Sequence, residues 1–321
     1  MNTNPARILY RCAIPFILVM ALAGGLAAQQ AAAPPKLFDT AQAAADALIK
    51  AAEANDTAAL AEIFGAEGKE LYTSGDPVQD KNHLADFVAK AKVKMSVAAD
   101  PKNKARAIIT VGADEWPLPT PIVKSKGKWY FDSKAGLGEV LARRIGANEL
   151  DAIQVCRGYV EAQKEYALLA RGVTGVSQYA QRIISSPGKK DGLYWRNPDG
   201  SAGGPISENI AKAIEEGYNV DAKTAYHGYY FKILKGQGPA APLGQMDYVI
   251  QGIMIGGFAL IATPAEYGVS GVKTFIISNQ GIVYQKDLGP DSLKIAKSIE
   301  LYDPDKTWQR TDDEWPPETS K

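Results

Sequence analysis

The stretch VKTFIISNQGIVYQK, residues 272–286, contains two β-strand patterns joined by a short turn. Val272 to Ser278 and Ile282 to Lys286 are rich in β-branched and aromatic residues, which favour strands. Asn279-Gln280-Gly281 between them has the length of a three-residue hairpin loop, and Gly281 supplies a residue that adopts positive φ easily. The stretch therefore predicts an antiparallel hairpin near the C-terminal end of the chain.

Further strand patterns precede this hairpin, and a helical pattern follows it. We predict strands at Gly228 to Leu234, Met246 to Ile250 and Met254 to Thr263, and a helix at Ser292 to Tyr302. Together these elements form a C-terminal antiparallel β-meander over residues 226–302, with the closing helix packed across the sheet. The tail, residues 303–321, is acidic and contains prolines, so we expect it to fray.

A helical connector and a long loop are predicted over residues 136–225. Leu137 to Ala170 has a helical pattern that Gly146 and Asn148 interrupt, and Asn148 with Asp151 is an N-cap pairing for its second part. Residues 176–226 are rich in Gly, Pro, Ser and Asp, with one helical pattern at Glu208 to Glu216. A loop of this length inside a compact chain is usually functional.

An N-terminal module of helices followed by strands is predicted over residues 37–135. Its first helix extends from Asp39 to Phe64, with Thr40 as its cap and a break at Asn55-Asp56, where Asp56 caps the second half. A helix at Asn82 to Lys92 precedes strands at Arg106 to Ala113, Thr120 to Lys124 and Lys128 to Asp132. This order is similar to that of the NTF2-like cones, in which a sheet wraps around a helix and often encloses a pocket. The predicted fold class is α+β.

The first 28 residues have the layout of a secretory signal peptide. Arg7 and Arg11 precede an apolar run from Cys12 to Ala23, and small residues follow. The apolar run is too short to span a bilayer. We therefore predict an exported protein, periplasmic or secreted, with residues 29–36 as a flexible leader and no stable membrane span after cleavage.

Composition narrows the classes of function. The formal net charge is zero and the basic residues are scattered, which argues against a nucleic-acid partner. Of the two cysteines only Cys156 lies outside the predicted signal peptide, so no intramolecular disulfide is expected in the mature chain. Cys156 lies on an apolar helical face, and we predict a buried, inert thiol.

The residue patterns do not indicate a metal or a cofactor. The two histidines, His83 and His227, are far apart in sequence, and no paired His or Cys spacing typical of zinc occurs. Phosphate-binding glycine motifs do not occur either, so we expect no metal and no cofactor. For catalysis, the remaining combination is His227 as acid/base with Glu266, in the manner of an envelope hydrolase.

Charged and aromatic residues cluster in the long loop and in the loops of the meander. The binding candidates are Lys189, Asp191, Tyr194, Trp195, Arg196, Tyr229 and Tyr267. Aromatic side chains beside charges are typical of surfaces that bind a peptide or a glycan. The same residues also serve to anchor a loop to a core, and this alternative stays open.

Several longer motifs of the second half resemble one family. They include residues 179–195, His227-Gly228-Tyr229-Tyr230-Phe231, Met254-Ile255-Gly256-Gly257-Phe258 and Gly281-Ile282-Val283-Tyr284-Gln285. The mature chain resembles the bacterial exported family of unknown function DUF2950, which implies no particular activity. The end of the meander also resembles the C-terminal sheet of pilin-like and pseudopilin proteins, although the N-terminal helix of a prepilin is missing here.

Three functional hypotheses follow. The first is a non-catalytic envelope protein that binds a partner, such as an envelope protein, peptide or glycan, through the long loop and the meander edge. The second is an envelope hydrolase that uses His227 and Glu266. The third is a pilus-associated subunit.

Overall fold

The computed structural model describes residues 33–73, 77–207, 211 and 225–312. The predicted signal peptide lies outside these residues, as does nearly all of the predicted helix Glu208 to Glu216. The helices are α1 (Ala41–Glu53), α2 (Thr57–Phe64), α3 (Pro77–Val93), α4 (Ser133–Thr174) and α5 (Ser292–Ser298), with a 3-10 helix at Ala66–Leu71.

Local signals determine the start of the N-terminal module. The Thr40 hydroxyl accepts a hydrogen bond from Ala43 N at 3.0 Å, and the Asp56 carboxylate accepts one from Ala59 N at 2.9 Å. These are the predicted N-caps of α1 and α2, and Asn55 between the helices has φ +48°. The predicted break of the first helix is therefore confirmed.

A five-stranded antiparallel sheet follows these helices. Its strands are β1 (Met95–Asp100), β2 (Asn103–Val111), β3 (Trp116–Pro117), β4 (Ile122–Ser125) and β5 (Lys128–Phe131), in the order β1-β2-β4-β5 with β3 paired to β2. Lys126 and Gly127, both with positive φ, form the two-residue turn between β4 and β5. Strands β1 and β3 were not predicted, since none of the residues of β1 is fully buried and β3 is only two residues long.

Helix α4 is continuous over 42 residues, so the predicted interruption at Gly146 and Asn148 is wrong. An added Cβ at Gly146 would meet nothing within 4 Å, and the Asn148 amide donates to Ser270 O at 2.9 Å instead of capping a helix. Tertiary contacts therefore outweigh the weak helix propensity of both residues. Asp132 caps α4 at its start, and Gly175 ends it in the left-handed conformation.

The segment that was predicted as a long loop contains a small sheet. Strands β6 (Arg182–Ile184), β7 (Gly192–Arg196) and β8 (Ala202–Gly203) lie side by side in that order, with β6 parallel to β7 and β8 antiparallel to it. Within the part that the structure describes, this segment is thus ordered by backbone pairing.

The C-terminal meander is present. Its sheet consists of β9 (Tyr229–Leu234), β14 (Ala259–Pro264), β15 (Lys273–Ser278), β16 (Val283–Asp287) and β17 (Gln309–Arg310), all antiparallel and in the order β17-β16-β15-β14-β9. Two small ribbons pair β10 (Gly236–Gln237) with β11 (Met246–Asp247), and β12 (Val249–Ile250) with β13 (Ile253–Met254). Gly281 in the β15–β16 hairpin has φ +76°, as predicted.

Strand β14 of this sheet, between β15 and β9, is covered on both faces. Every residue of β14 is buried, and successive side chains in a strand point to opposite faces. Helices α4 and α5 both contact β14, and α4 also contacts β15 and β16. Helix α4 thus belongs to the core of the C-terminal module over its second half.

Two separate cores result. The N-terminal core contains Leu48, Leu60, Phe64, Ile109 and Phe131 among others, whereas the C-terminal core joins α4 from Ala152 onward to the sheet. The first turns of α4 contact the N-terminal module, where the Ser133 hydroxyl donates to Phe64 O at 2.6 Å. The chain is an α+β protein whose two modules share one long helix.

The ends of the described chain are held more firmly than predicted. Lys36 N donates to Glu62 O at 2.8 Å and Ala66 N donates to Ala33 O at 3.0 Å, so residues 33–36 pack on the N-terminal module. The expectation of a frayed tail is wrong up to residue 312, because β17 pairs with β16 and Thr311 N donates to Val283 O. Among the helices of the described residues, none has the length and apolar character needed to cross a membrane.

Candidate functional site

A cavity of about 290 Å³ opens into the core of the N-terminal module. Its walls are mainly apolar and come from α1, α2, α3 and the segment that contains β3: Leu48, Leu60, Phe64, Leu84, Phe87 and Leu118. Leu48 and Leu60 are core residues, so the cavity reaches deep into the module. Protein interiors are normally packed without such voids, and the volume lies near the lower end of the range of small-molecule sites.

One end of the cavity is polar. The Thr73 hydroxyl donates to the Asp80 carboxylate at 2.8 Å, and both side chains are partly buried. Glu70 and His83 also line this end and are exposed at its rim. Asp80 and His83 are three residues apart near the start of α3, so they lie on one face of the helix.

The other end is built around Trp116. The Arg143 guanidinium lies 4.9 Å and the Lys90 ammonium 6.0 Å from the centre of its ring. Arg143 is also fixed by donating to Pro117 O and to the Glu139 carboxylate, each at 2.9 Å. These cation–π contacts hold the indole at the mouth, where its side chain is 38 % exposed.

His227 lies in the tip of a tight turn in the C-terminal module. Tyr226 and Tyr229 exchange backbone hydrogen bonds, while His227 and Gly228 between them have φ values of +46° and +74°. Two successive positive φ values are those of a type I′ turn, which is unusual for histidine. The turn directs the imidazole toward α4, where Nδ1 lies 2.6 Å from the Asp151 carboxylate.

The carboxylate beside His227 is therefore that of Asp151, which was predicted to pair with Asn148 in a helix cap. Glu266 is exposed in the turn between β14 and β15, where its backbone N–H and C=O both bond to the Ser270 hydroxyl. Tyr267 is half-buried, and its hydroxyl donates to Asp287 at 3.3 Å. The pairing of His227 with Glu266 as acid and base stays a prediction.

Helix α4 also holds the segment after this turn. The Glu149 carboxylate accepts hydrogen bonds from Val272 N at 2.9 Å and from Lys273 N at 3.0 Å, beside the bond from Asn148 to Ser270 O. Three positions in the central part of α4 thus bind the backbone or a side chain of the C-terminal module. Asn148, Glu149 and Asp151 therefore attach α4 to the C-terminal module.

Tyr229 is fully buried, although it was a binding candidate. Its hydroxyl donates to Lys273 O at 2.8 Å, and its ring packs on Phe275. Burial raises the pKa of Tyr229 far above its ordinary value, which keeps the phenol neutral. In this conformation Tyr229 joins two strands of the core and does not reach the surface.

Most of the binding candidates in the long loop contact other residues of the protein. Tyr194 is buried in the C-terminal core, and the half-buried Trp195 packs edge-on against Tyr166 and lies 5.3 Å below the Lys190 ammonium. The Asp191 carboxylate accepts from Ser186 N at 2.7 Å and from Ser186 Oγ at 2.9 Å. Burial alone would raise the pKa of Asp191, but these hydrogen bonds outweigh it and the pKa is lowered.

Two charged loop candidates remain at the surface. Lys189 is exposed, and Arg196 is exposed while its guanidinium donates to Gly200 O at 3.0 Å. The structure therefore does not bring the seven candidates together on one surface: Tyr194 and Tyr229 lie in the core, and Tyr267 lies in another loop.

The single described cysteine, Cys156, is buried in the C-terminal core. Burial raises the pKa of its thiol to about 12, with a small opposing effect of the Arg157 charge. At pH 8 the thiol therefore stays protonated. Among the described residues, no group of three or more His, Cys, Asp and Glu side chains is arranged to hold a metal ion.

Cys156 is accordingly expected to resist alkylation. Iodoacetamide at pH 8 should leave Cys156 unlabelled in the folded protein over hours and should label it completely in 6 M guanidinium chloride, as read by peptide mass spectrometry. Rapid labelling without denaturant would contradict the burial of this thiol.

No residue motif in the sequence predicted the cavity. Asp80, Tyr72, Trp116 and Leu118 belong to no motif, and His83 was considered only as a metal ligand. The one signal that pointed to the cavity was the order of helices and strands, which resembles folds that enclose a pocket. Which side chains line it depends on the packing of α3 against the sheet.

Comparison with known protein families shows a match of residues 35–311 to the family described as protein of unknown function, DUF2950. No curated protein and no solved structure matches the chain. The similarities to NTF2-like cones and to pilin-like sheets therefore stay predictions. Because the match extends over most of the sequence, from the first strand contacts of the N-terminal module to the last strand of the meander, the chain belongs to the DUF2950 family.

Proposed function

We propose that this protein is an exported binding protein of the cell envelope and that its N-terminal module holds a small ligand. The observation that carries the proposal is the apolar cavity of about 290 Å³, which is lined by core residues and reaches the surface beside Trp116. A cavity with an apolar wall and a few polar groups at one end is the usual form of a small-molecule site.

The shape of the cavity sets the size of the ligand. Engineered apolar cavities of about 150 Å³ bind benzene, so a volume near 290 Å³ suits a single ring with a short substituent. Burial of such a body against leucine and phenylalanine side chains supplies the affinity, because each buried CH₂ group contributes about 0.8 kcal/mol.

The proposed binding site lies in a different part of the protein from the binding surface that the sequence predicted. The long loop and the meander edge were the predicted binding surfaces, yet Tyr194 and Tyr229 are core residues there. An envelope protein, peptide or glycan as partner of the exposed Lys189 and Arg196 stays a prediction. The apolar cavity offers more buried contact area to a ligand than either of these side chains.

A neutral test compound distinguishes a binding cavity from an empty one. We expect 2-phenylethanol to bind the full chain saturably with a Kd of about 1 mM or tighter, as measured by isothermal titration calorimetry. Leu84→Trp should weaken this binding at least about tenfold, because the larger indole occupies part of the cavity.

The matched control is Leu168→Trp, at a leucine of α4 that is 70 % exposed and does not line the cavity. This variant should bind 2-phenylethanol like the parent. Equal binding by Leu84→Trp, or no saturable binding by the parent, would remove the cavity as the ligand site. The proposal that the protein is exported needs a separate test. N-terminal sequencing of the protein from an envelope fraction should show that the first residues have been removed, and an intact Met1 would contradict export.

A further inference from the structure

We propose that two copies of this chain associate through strand β1, the outer strand of the N-terminal sheet. This inference goes beyond the ligand site, because residues 95–100 do not line the cavity. It is carried by the backbone groups on the free side of β1 and by a register in which the strand pairs with itself.

One edge of the N-terminal sheet is covered and the other is not. At β5 the segment before α1 lies alongside the strand, where Phe38 N donates to Trp129 O at 2.7 Å and Trp129 N donates to Phe38 O at 2.8 Å. Strand β1, at the opposite edge, pairs with β2 on one side. Among the described residues, no strand or isolated bridge lies on its other side. A free strand edge of this kind is a template for pairing with another chain.

The backbone of β1 alternates between groups that pair with β2 and groups that point outward. Gly112 N donates to Lys94 O at 3.0 Å, so Lys94 belongs to the residues that are hydrogen-bonded across the two strands. Val97, three residues further on, then belongs to the other set. Its partner Ile109 agrees with this assignment, because Ile109 O accepts from Leu118 N on the opposite side of β2. The N–H and C=O groups of Val97 therefore point to the free edge.

This edge fits a second copy of itself. Val97 lies midway between Met95 and Ala99, whose N–H and C=O groups point outward by the same alternation. When two β1 strands pair antiparallel with Val97 opposite Val97, Met95 of each copy lies opposite Ala99 of the other. All three outward residues are then in hydrogen-bonded pairs, and about six interchain hydrogen bonds form. The two copies are related by a two-fold axis, as in most homodimers.

The charges at the two ends of β1 fit the same register. Lys94 precedes the strand and Asp100 ends it, so each Lys94 lies opposite Asp100 of the second copy. Within one chain Lys94 pairs with Glu115, and Arg106 lies 3.4 Å from Asp100. The dimer therefore forms a row of charges of alternating sign, from Glu115 and Lys94 of one copy to Asp100 and Arg106 of the other. A parallel pairing in register would instead place like charges opposite each other, which is destabilising.

Strand β1 lacks the features that usually protect an edge from association. Residues 95–99, Met-Ser-Val-Ala-Ala, contain no charged residue and no proline. The irregularity of the β1–β2 ladder occurs at the end of the strand, between Ala99 and Asp100. Ala98 and Ala99 are exposed and small, so their side chains do not obstruct a second strand.

Sedimentation equilibrium of the full chain measures this association. We expect a monomer–dimer equilibrium with a Kd of about 10 µM, because two short strands bury less area than a standard interface. Ala99→Pro should weaken the dimer at least about tenfold, since proline lacks the outward N–H and its ring occupies the edge. The matched control is Ala99→Ser, which keeps the N–H at the same position and should dimerise like the parent. Circular dichroism reports whether each variant is folded.

A cysteine at the two-fold axis tests the register. Val97→Cys should give a disulfide-linked dimer under mild oxidation, because residues in a hydrogen-bonded pair have Cα atoms about 5.5 Å apart, within the range for a disulfide. Ser96→Cys should not, since Ser96 lies opposite Ala98 of the second copy. Both variants are made together with Cys12→Ser, which leaves the buried Cys156 as the remaining native cysteine. This measurement decides the question if Ala99→Pro does not fold.

A parent chain that stays monomeric at about 100 µM would overturn the inference. Dimerisation of folded Ala99→Pro with the Kd of the parent would also overturn it, because the copies would then meet elsewhere. The same holds if Ser96→Cys forms the disulfide as fast as Val97→Cys. If the parent is monomeric and β1 pairs with a strand of another protein, the edge is a binding surface but self-association is wrong.

Discussion

Replacement of Gln163 by leucine is expected to destabilise the protein by about 4 kcal/mol, the larger of two effects on the C-terminal core. The Gln163 side chain is completely buried in α4. Its amide nitrogen donates to Ala180 O at 2.8 Å and to the Tyr159 hydroxyl at 2.9 Å, while its oxygen accepts from Ala180 N at 2.8 Å. Leucine fills the space but leaves these buried polar groups unpaired, at about 1–3 kcal/mol for each.

Urea unfolding followed by circular dichroism measures this loss. The neighbouring exchange Lys164→Ala is the control, because Lys164 is exposed and pairs with Glu161 on the surface. It should change the free energy of unfolding by less than about 0.5 kcal/mol. A loss below about 1 kcal/mol in Gln163→Leu would mean that the link between α4 and Ala180 is not formed.

The second large effect concerns the contact between Gly271 and Tyr229. A Cβ added at Gly271 would lie 2.2 Å from the Tyr229 hydroxyl oxygen and 2.7 Å from the ring carbon that bears it. Tyr229 is buried and held by its bond to Lys273 O, so the ring has little freedom to move. We expect Gly271→Ala to cost about 3 kcal/mol, at the upper end of the usual cost of overpacking.

A double-mutant cycle makes this prediction specific. Tyr229→Phe alone should cost about 1 kcal/mol, because it removes one buried hydrogen bond. In the Gly271→Ala background the same exchange removes the closest clash and should be neutral or stabilising, which gives a coupling energy of at least about 1 kcal/mol. Additive effects in urea unfolding would show that the two residues do not touch.

The matched control for the added methyl group is Gly158→Ala. Gly158 is exposed in α4, and its added Cβ would meet nothing within 4 Å. Because alanine favours a helix more than glycine does, this variant should gain about 0.5–1 kcal/mol. The difference between the changes in the free energy of unfolding of Gly158→Ala and Gly271→Ala then reports the space around each glycine.

Elements with strong local signals were predicted well. The caps at Thr40 and Asp56 and the hairpin loop that ends at Gly281 occur where the sequence places them. Each depends on a hydrogen bond or a φ value within a few residues, so neighbouring residues contain the information. The α+β class and the C-terminal meander follow from these elements.

Elements without a local signal were missed or misjudged. Gly146 and Asn148 looked like a helix break, yet α4 continues because Asn148 bonds to Ser270 O, 122 residues away. Strand β1 has a weak sequence pattern without a fully buried residue, and it pairs with β2 along its length. Asp151 was read as a capping residue, whereas in the folded chain it lies beside His227.

By itself, the sequence determined the class of this protein: the order of helices and strands, their caps and turns, and the membership in its family. Only the tertiary structure decided which side chains are buried in the core and which line a cavity. Tyr229 and Tyr194 were candidates either for a binding surface or for anchoring to the core, and both lie in the core, while Asp80 and Trp116, which belong to no motif, line a cavity. The physical reason is that caps and turns depend on near neighbours, whereas burial and cavities depend on contacts between residues that are distant in sequence.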